Sequence, residues 1–209
     1  MGMRYLSLCV ALVSAFVLTG CGGEPPASDL AAAKQALDDA RDVGAEEFAS
    51  QQYSVAEEAY SAAEKAVNDA NSEMIKDFAA SQSLISDAKS KADDAKTAAQ
   101  SEKGRQRDSA ENFIVAASGV MEQARGALES APVGKGTEGD IQQLQDKLSV
   151  AEAELGEAKS SVASEDFSNA EINAKSAQQK AQTIVTGVQS ATAKYEELIE
   201  KMRPWYDRI

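Results

Sequence analysis

The stretch from Phe167 to Met202, FSNAEINAKSAQQKAQTIVTGVQSATAKYEELIEKM, decides the fold class of this chain. Its apolar positions are Phe167, Ala170, Ala174, Ala177, Ala181, Ile184, Val188, Ala191, Tyr195, Leu198 and Met202, spaced alternately by three and four residues. Between them stand mostly Ser, Gln, Lys, Glu and Thr. An unbroken repeat averaging 3.5 residues keeps one stripe of an α-helix apolar and predicts a left-handed seam against a neighbouring helix. Pro204 has no amide hydrogen with which to continue and marks the predicted end. At 1.5 Å per residue such a helix is roughly 55 Å long.

The same spacing recurs at Ile141, Leu144, Leu148, Ala151, Leu155, Ala158 and Val162. It appears again at Tyr53, Ala56, Tyr60, Ala63, Val67, Ala70 and Met74, and at Ile114, Ala117, Met121, Ala124, Leu128 and Ala131. Alanine is the commonest residue, 39 of 209, and the best helix former. Large side chains alternating with alanine let neighbouring axes approach closely. Breaks at Gly44, at Lys103-Gly104-Arg105 and from Pro132 to Gly139 divide the pattern into helices able to fold back on one another. The expectation is six helices near 28–44, 48–75, 78–103, 108–131, 140–164 and 167–203, with Asp140 as the N-cap of the fifth. The fold class is therefore all-α: an elongated antiparallel helical bundle with heptad-like, Ala-rich seams.

Two halves of the chain look copied. Ala33 to Ala40 (AKQALDDA) matches Ala124 to Ala131 (ARGALESA) at an offset of 91 residues. Tyr53 to Glu57 (YSVAE) matches Leu148 to Glu152 (LSVAE) at an offset of 95, and Asp77-Phe78 matches Asp166-Phe167 at 89. Two repeated three-helix units follow as an expectation, with the core completed by stacking neighbours. Residues 29–131 are taken as the first helical unit, 132–139 as a Gly/Pro loop, and 140–209 as the continuation of a second unit whose first helix lies near 108–131.

The N-terminus carries Arg4 and then an uncharged run from Tyr5 to Leu18, too short to span a bilayer, which needs about 20 residues. It reads as an export signal. The ending Leu18-Thr19-Gly20-Cys21 resembles the lipobox of bacterial lipoprotein signal peptides. The resemblance implies that residues 1–20 are removed and that Cys21 becomes the lipidated first residue, carrying a diacylglycerol and commonly a further acyl chain such as palmitate. Two or more chains anchor durably. Residues 21–28, with Gly22, Gly23, Pro25 and Pro26, read as a short tether. Gly22 in place of the Asp that resembles an inner-membrane retention signal favours the periplasmic face of the outer membrane in a cell with two membranes. In a cell with one membrane the expected place is the outer face of the cytoplasmic membrane. With Cys9 lost in the signal, no thiol is left for a disulfide.

Leu30 to Lys103 resembles a family known as domain of unknown function 4398, short Ala-rich helical hairpins behind lipoprotein signals in bacterial envelopes. The likeness rests on Leu30 to Arg41 (LAAAKQALDDAR), Gly44-Ala45, Phe48-Ala49, the ladder Ala56, Ala59, Ala63, Ala66, and Asp77-Phe78. Leu148 to Ala181 fits more weakly. Some relatives add a peptidoglycan-binding domain for which this chain has no room, so cell-wall binding does not carry over.

The residue inventory points away from chemistry. No histidine is present, which removes the commonest metal ligand and general base. Zinc sites, cysteine nucleophiles and Glu-x-x-His di-iron bundles are excluded with it. No phosphate-binding glycine loop, nucleophile elbow or calcium loop is found. Acidic pairs such as Asp38-Asp39, Glu46-Glu47 and Asp93-Asp94 read as solvated helix faces, and Lys103, Arg105 and Arg107 as a solvated turn. The expectation is no enzyme, no cofactor and no metal. A net charge of −13, or −14 after loss of Arg4, repels phosphate backbones, so nucleic acid is not an expected partner.

The expected function is a lipid-anchored helical spacer, scaffold or protein–protein adaptor, with the membrane and an envelope protein as partners and a homo-oligomer as a further option. The alternative is a helical module binding a small or lipidic ligand. Arg203, Trp205 and Tyr206 at the C-terminus are the candidate partner contact, since Arg and aromatics are enriched in interface hot spots.

Overall fold

The computed structural model describes residues 24–134 and 136–204. Among them are six α-helices and no strand: α1 (Ala27–Asp42), α2 (Ala45–Phe48), α3 (Ser50–Ser72), α4 (Ala79–Ser130), α5 (Glu138–Ala163) and α6 (Phe167–Met202). The all-α class read from the seams is what the molecule has. The chain divides into two compact units at Ala99 and Gln100, inside α4.

In unit 1, Pro26 is buried at the head of α1, so the helix begins two residues before the expected tether ends. Gly44 ends the first helical segment because it adopts φ +86, a left-handed conformation that glycine reaches without a Cβ penalty. A Cβ there would also press on the Phe48 ring at 3.0 Å. The single turn of α2 follows, and Ala45 and Ala49 bury against α3. That turn was not expected. It lies between two periodic stretches and carries no heptad of its own.

The buried residues of unit 1 form two clusters. Ala36, Leu37, Ala40, Tyr53, Ala56, Ala92, Ala95 and Ala99 belong to one. Ala33, Ala63, Val67, Phe78, Ile85 and Ala88 belong to the other, with Leu30 and Ala70 packed against it. Alanine dominates the first and makes up half of the second, as the seams imply. Each such contact buries about one methyl, so Tyr53, Leu37, Val67, Phe78 and Ile85 supply most of the apolar area. Around the core, Arg41 Nε donates to Glu46 at 2.8 Å and its guanidinium lies 5.7 Å from the Tyr53 ring centre. Lys96 on α4 reaches Asp39 on α1 at 3.0 Å.

In unit 2 the side-chain pairings fix the helix directions. Between α5 and α6, Asp140 meets Lys194, Leu144 faces Gly187, and Glu154 meets Lys180 and Ser176, so numbers rise on one helix as they fall on the other. The two helices are antiparallel. Between α4 and α6, Lys103 pairs with Glu165, Ser109 with Glu171, and Phe113 with Lys175, each separated by 62 residues. A constant offset means parallel helices, and unit 2 is an up-down-up trio. Its core is one continuous cluster including Met121, Leu128, Ile141, Leu144, Leu155, Ile184 and Val188 among alanines.

Four local expectations are corrected. The break at Lys103-Gly104-Arg105 does not exist: α4 runs through it, so the helices expected at 78–103 and 108–131 are one element. One glycine costs a helix only about 1 kcal/mol against alanine, and Lys and Arg are good helix formers. Arg105 also binds Glu102 one turn back, at 2.8 and 2.5 Å. Second, Thr137, not Asp140, stands at the N-cap position of α5. Thr137 is buried and its hydroxyl donates to the Gly134 carbonyl at 2.7 Å, holding the loop, while Asp140 sits in the first helical turn. Third, Met74 leaves the seam. It is 102% exposed, because α3 stops at Ser72 and the chain turns there. Fourth, Met202 is 60% exposed at the end of α6.

The offset pairs occupy matching environments. Ala33 and Ala124, Leu37 and Leu128, Ala56 and Ala151, and Phe78 and Phe167 are all buried. Amphipathic helices share this property with or without common descent.

Candidate interaction surfaces

The predicted lipid site Cys21, the box Leu18 to Gly20, and the candidate contacts Trp205 and Tyr206 lie outside the described residues. Arg203 lies within them. It ends α6: its amide donates to the Ile199 and Glu200 carbonyls, and its guanidinium pairs with Glu200 at 3.3 Å. Its observed role is to close the helix.

Several surface features of unit 2 were not expected. Gly187 lets Leu144 lie directly against the backbone of α6; a Cβ on Gly187 would come within 2.6 Å of a Leu144 methyl. A glycine inside an otherwise regular helical pattern was the available signal. Beside this contact, a groove of about 370 Å³ opens between α5 and α6, lined by Asp146, Lys147, Val150, Lys180 and Thr183. Val150 is 52% exposed in it. A more polar hollow is lined by Arg105, Gln106, Ser109, Phe167, Ser168 and Glu171.

Several charged groups around these grooves are held in pairs, Lys180 with Glu154, Arg105 with Glu102 and Lys175 with Glu171. Burial pushes the Glu154 carboxyl up, but hydrogen bonds from Lys180 and Ser176 outweigh it and hold the group below the ordinary carboxylate range. Hydrogen bonds from Arg105 and Gln106 hold Glu102 at about 2. The Lys175 hydrogen bond does the same for Glu171, with Ser109 adding a weaker one. All these shifts stabilise the charged form. A general acid or base active near neutrality needs the opposite displacement for a carboxylate.

In unit 1 the Tyr53 hydroxyl is buried with no hydrogen-bond partner among the described residues. Burial raises its pKa, and the nearby Glu57 carboxylate pushes the same way. The ring is positioned by packing and by Arg41, and the Glu57 carboxylate is near its polar tip without closing a well-formed hydrogen bond.

Among the described residues no group of three or more His, Cys, Asp or Glu is arranged to hold a metal ion, and no helix is long and apolar enough to cross a membrane. Compared with known proteins, the chain matches no family model, no curated protein and no solved structure.

Proposed function

We propose that this protein is a lipid-anchored envelope lipoprotein, tethered through acyl chains on Cys21 and facing the periplasm from the outer membrane. Its two helical units serve as spacer, scaffold or adaptor for another envelope protein. The observation that carries the reading is the Leu18-Thr19-Gly20-Cys21 box behind an uncharged run, joined to a chain that folds as alanine-packed helices. The likeness of Leu30 to Lys103 to the domain-of-unknown-function 4398 lipoproteins supports it. On this reading the protein has no catalytic role.

Partner contact is tested with photo-crosslinking residues at Val115, Val150 and Ile172, which are 70%, 52% and 59% exposed on α4, α5 and α6. Irradiated envelopes are expected to give an adduct with the same envelope protein from at least one position. No protein adduct from any of them, with membrane attachment intact, removes the adaptor role.

The groove at Val150 favours a second reading, a module for a small or lipidic ligand, because its volume falls in the range of ligand sites. Native mass spectrometry separates the two: a co-purifying small molecule lost on Val150→Glu substitution supports the ligand module.

A further inference from the structure

Residues 73–78 join α3 to α4, and the stretch 73–77 holds two large apolar side chains out in solvent. Met74 is 102% exposed and Ile75 83%, the highest values among large apolar side chains of the described residues. Neither has a core to enter, since Val67 and Phe78 on either side close the nearest cluster without them. The loop itself is held in place. Lys76 Nζ donates to Asn71 at 2.9 Å, and Asp77 accepts the Ala79 amide at 3.0 Å at the start of α4.

The position of this loop within unit 1 gives it a meaning. Leu30, in the first turn of α1, packs against the cluster that holds Ala33, Ala63, Val67 and Phe78, whereas Leu37 and Ala40 farther along α1 belong with Tyr53 and Ala56 near the start of α3. The start of α1 and loop 73–77 therefore lie at one end of unit 1. Cys21 stands only three residues before Glu24, and an extended chain spans about 3.5 Å per residue, so its acyl chains can start no farther than roughly 10 Å from Glu24.

We propose that Met74 and Ile75 dip into the headgroup–acyl boundary of the bilayer that holds the lipidated Cys21, giving unit 1 a second, non-covalent contact with the membrane. The inference rests on the lipoprotein reading. A bilayer interface suits an unpaired Met–Ile couple at a loop tip, where apolar area is removed from water without any shaped pocket. Glu73 and Lys76 flank the pair and Asp77 follows, a net charge of −1 over residues 73–77, so no basic cluster draws the loop to anionic lipid and zwitterionic phospholipid is the matching surface. The acyl chains on Cys21 hold the protein at the surface and the apolar pair adds a second contact through the short connection; a single chain alone binds marginally, so a one-chain conjugate makes that addition measurable.

The test uses the chain from Cys21 to Ile209, whose only thiol is Cys21, coupled chemically to a single-chain maleimide lipid and bound to dioleoylphosphatidylcholine vesicles. Because the lipid is added in vitro, the outcome does not depend on whether cells acylate Cys21, which palmitate incorporation reports separately. In a Trp205→Phe background, Ile75→Trp is compared with Val55→Trp, on α3 roughly 25 Å from the loop along the helix axis. With brominated phospholipid, Ile75→Trp is expected to lose most of its emission and Val55→Trp almost none. Equal quenching of the two, whether weak or strong, overturns the proposal. Met74→Ser/Ile75→Ser, checked for helix content by circular dichroism, is expected to weaken vesicle partitioning of the conjugate about tenfold; unchanged partitioning overturns it equally.

Discussion

Unit 1 and unit 2 follow the same rule of large residue over small, yet they distribute their large side chains differently. In unit 1 the core is split in two: one cluster is mostly alanine, with Ala40, Ala56, Ala95 and Ala99 fully buried beside Leu37 and Tyr53, and the other gathers Val67, Phe78 and Ile85. In unit 2 Met121, Leu144, Leu155, Ile184 and Val188 run through one uninterrupted cluster. The difference teaches that a heptad seam specifies helix contact but not how stability is spread along it. Unit 1 is limited by how closely its helices approach, and unit 2 by how well its aliphatic residues fill the gap.

The comparison predicts opposite sensitivities. Ile184→Ala, at a position with no exposure, removes a filled volume from unit 2 and is expected to lower stability by about 3 kcal/mol, read by urea unfolding. Ala95→Leu forces bulk between closely approaching helices of unit 1 and is expected to lower stability by about 2 kcal/mol through overpacking. If Ala95→Leu is tolerated as easily as a surface change, the close-approach account of unit 1 is wrong. Two glycines sharpen the contrast at smaller scale. Gly187→Ala drives a methyl into Leu144 and is expected to destabilise by about 1 kcal/mol despite better helix propensity. Gly104→Ala meets nothing within 4 Å and is expected to stabilise by about 0.7 kcal/mol. Tyr53→Phe removes a buried hydroxyl with no partner and is expected to stabilise slightly, by about 0.5 kcal/mol in the same assay.

The ion pairs give the smallest effects and a direction in pH. Glu154, Glu171, Asp39 and Glu197 have folded pKa values below their unfolded ones, and Glu102 is held at about 2. A carboxylate depressed by folding contributes stability above its unfolded value near 4.5 and loses it as pH falls through the folded value. Thermal unfolding followed by circular dichroism is expected to show a flat melting temperature from pH 7 to about 5, then a decline below about pH 4. Asp39 and Glu197 are exposed and Glu102, Glu154 and Glu171 half-buried at the surface, within reach of solvent screening, so the slope should shrink in high salt.

Most of the architecture was legible because helix periodicity is a local signal. The seam from Phe167 to Ala191 is buried at every position expected. Past that point it fades: the constant offset of 62 places Ser130, where α4 ends, level with residue 192 of α6, so Tyr195 and Leu198 are half-buried and Met202 exposed. A seam residue is buried only if a neighbouring helix reaches its level, and that length is a tertiary fact. Gly104 misled for a related reason, since a glycine weakens a helix without ending one when its neighbours bond across the turn. Asp140 had the right chemistry for a cap, but Thr137 was already fixed to the loop by its own hydroxyl three residues earlier. The surface grooves were not legible, because they depend on which faces α5 and α6 turn to each other. The expected lipid box, Leu18 to Cys21, lies outside the described residues and rests on the linear sequence alone.

The central claim is that Cys21 carries the membrane anchor of a helical envelope protein. Intact-mass and N-terminal peptide mass spectrometry of the chain extracted from bacterial membranes tests it most directly. The account predicts a mature chain beginning at Cys21 with a diacylglyceryl thioether and an acylated amine. A chain that retains Met1 to Gly20, or that begins elsewhere with an unmodified Cys21, contradicts it.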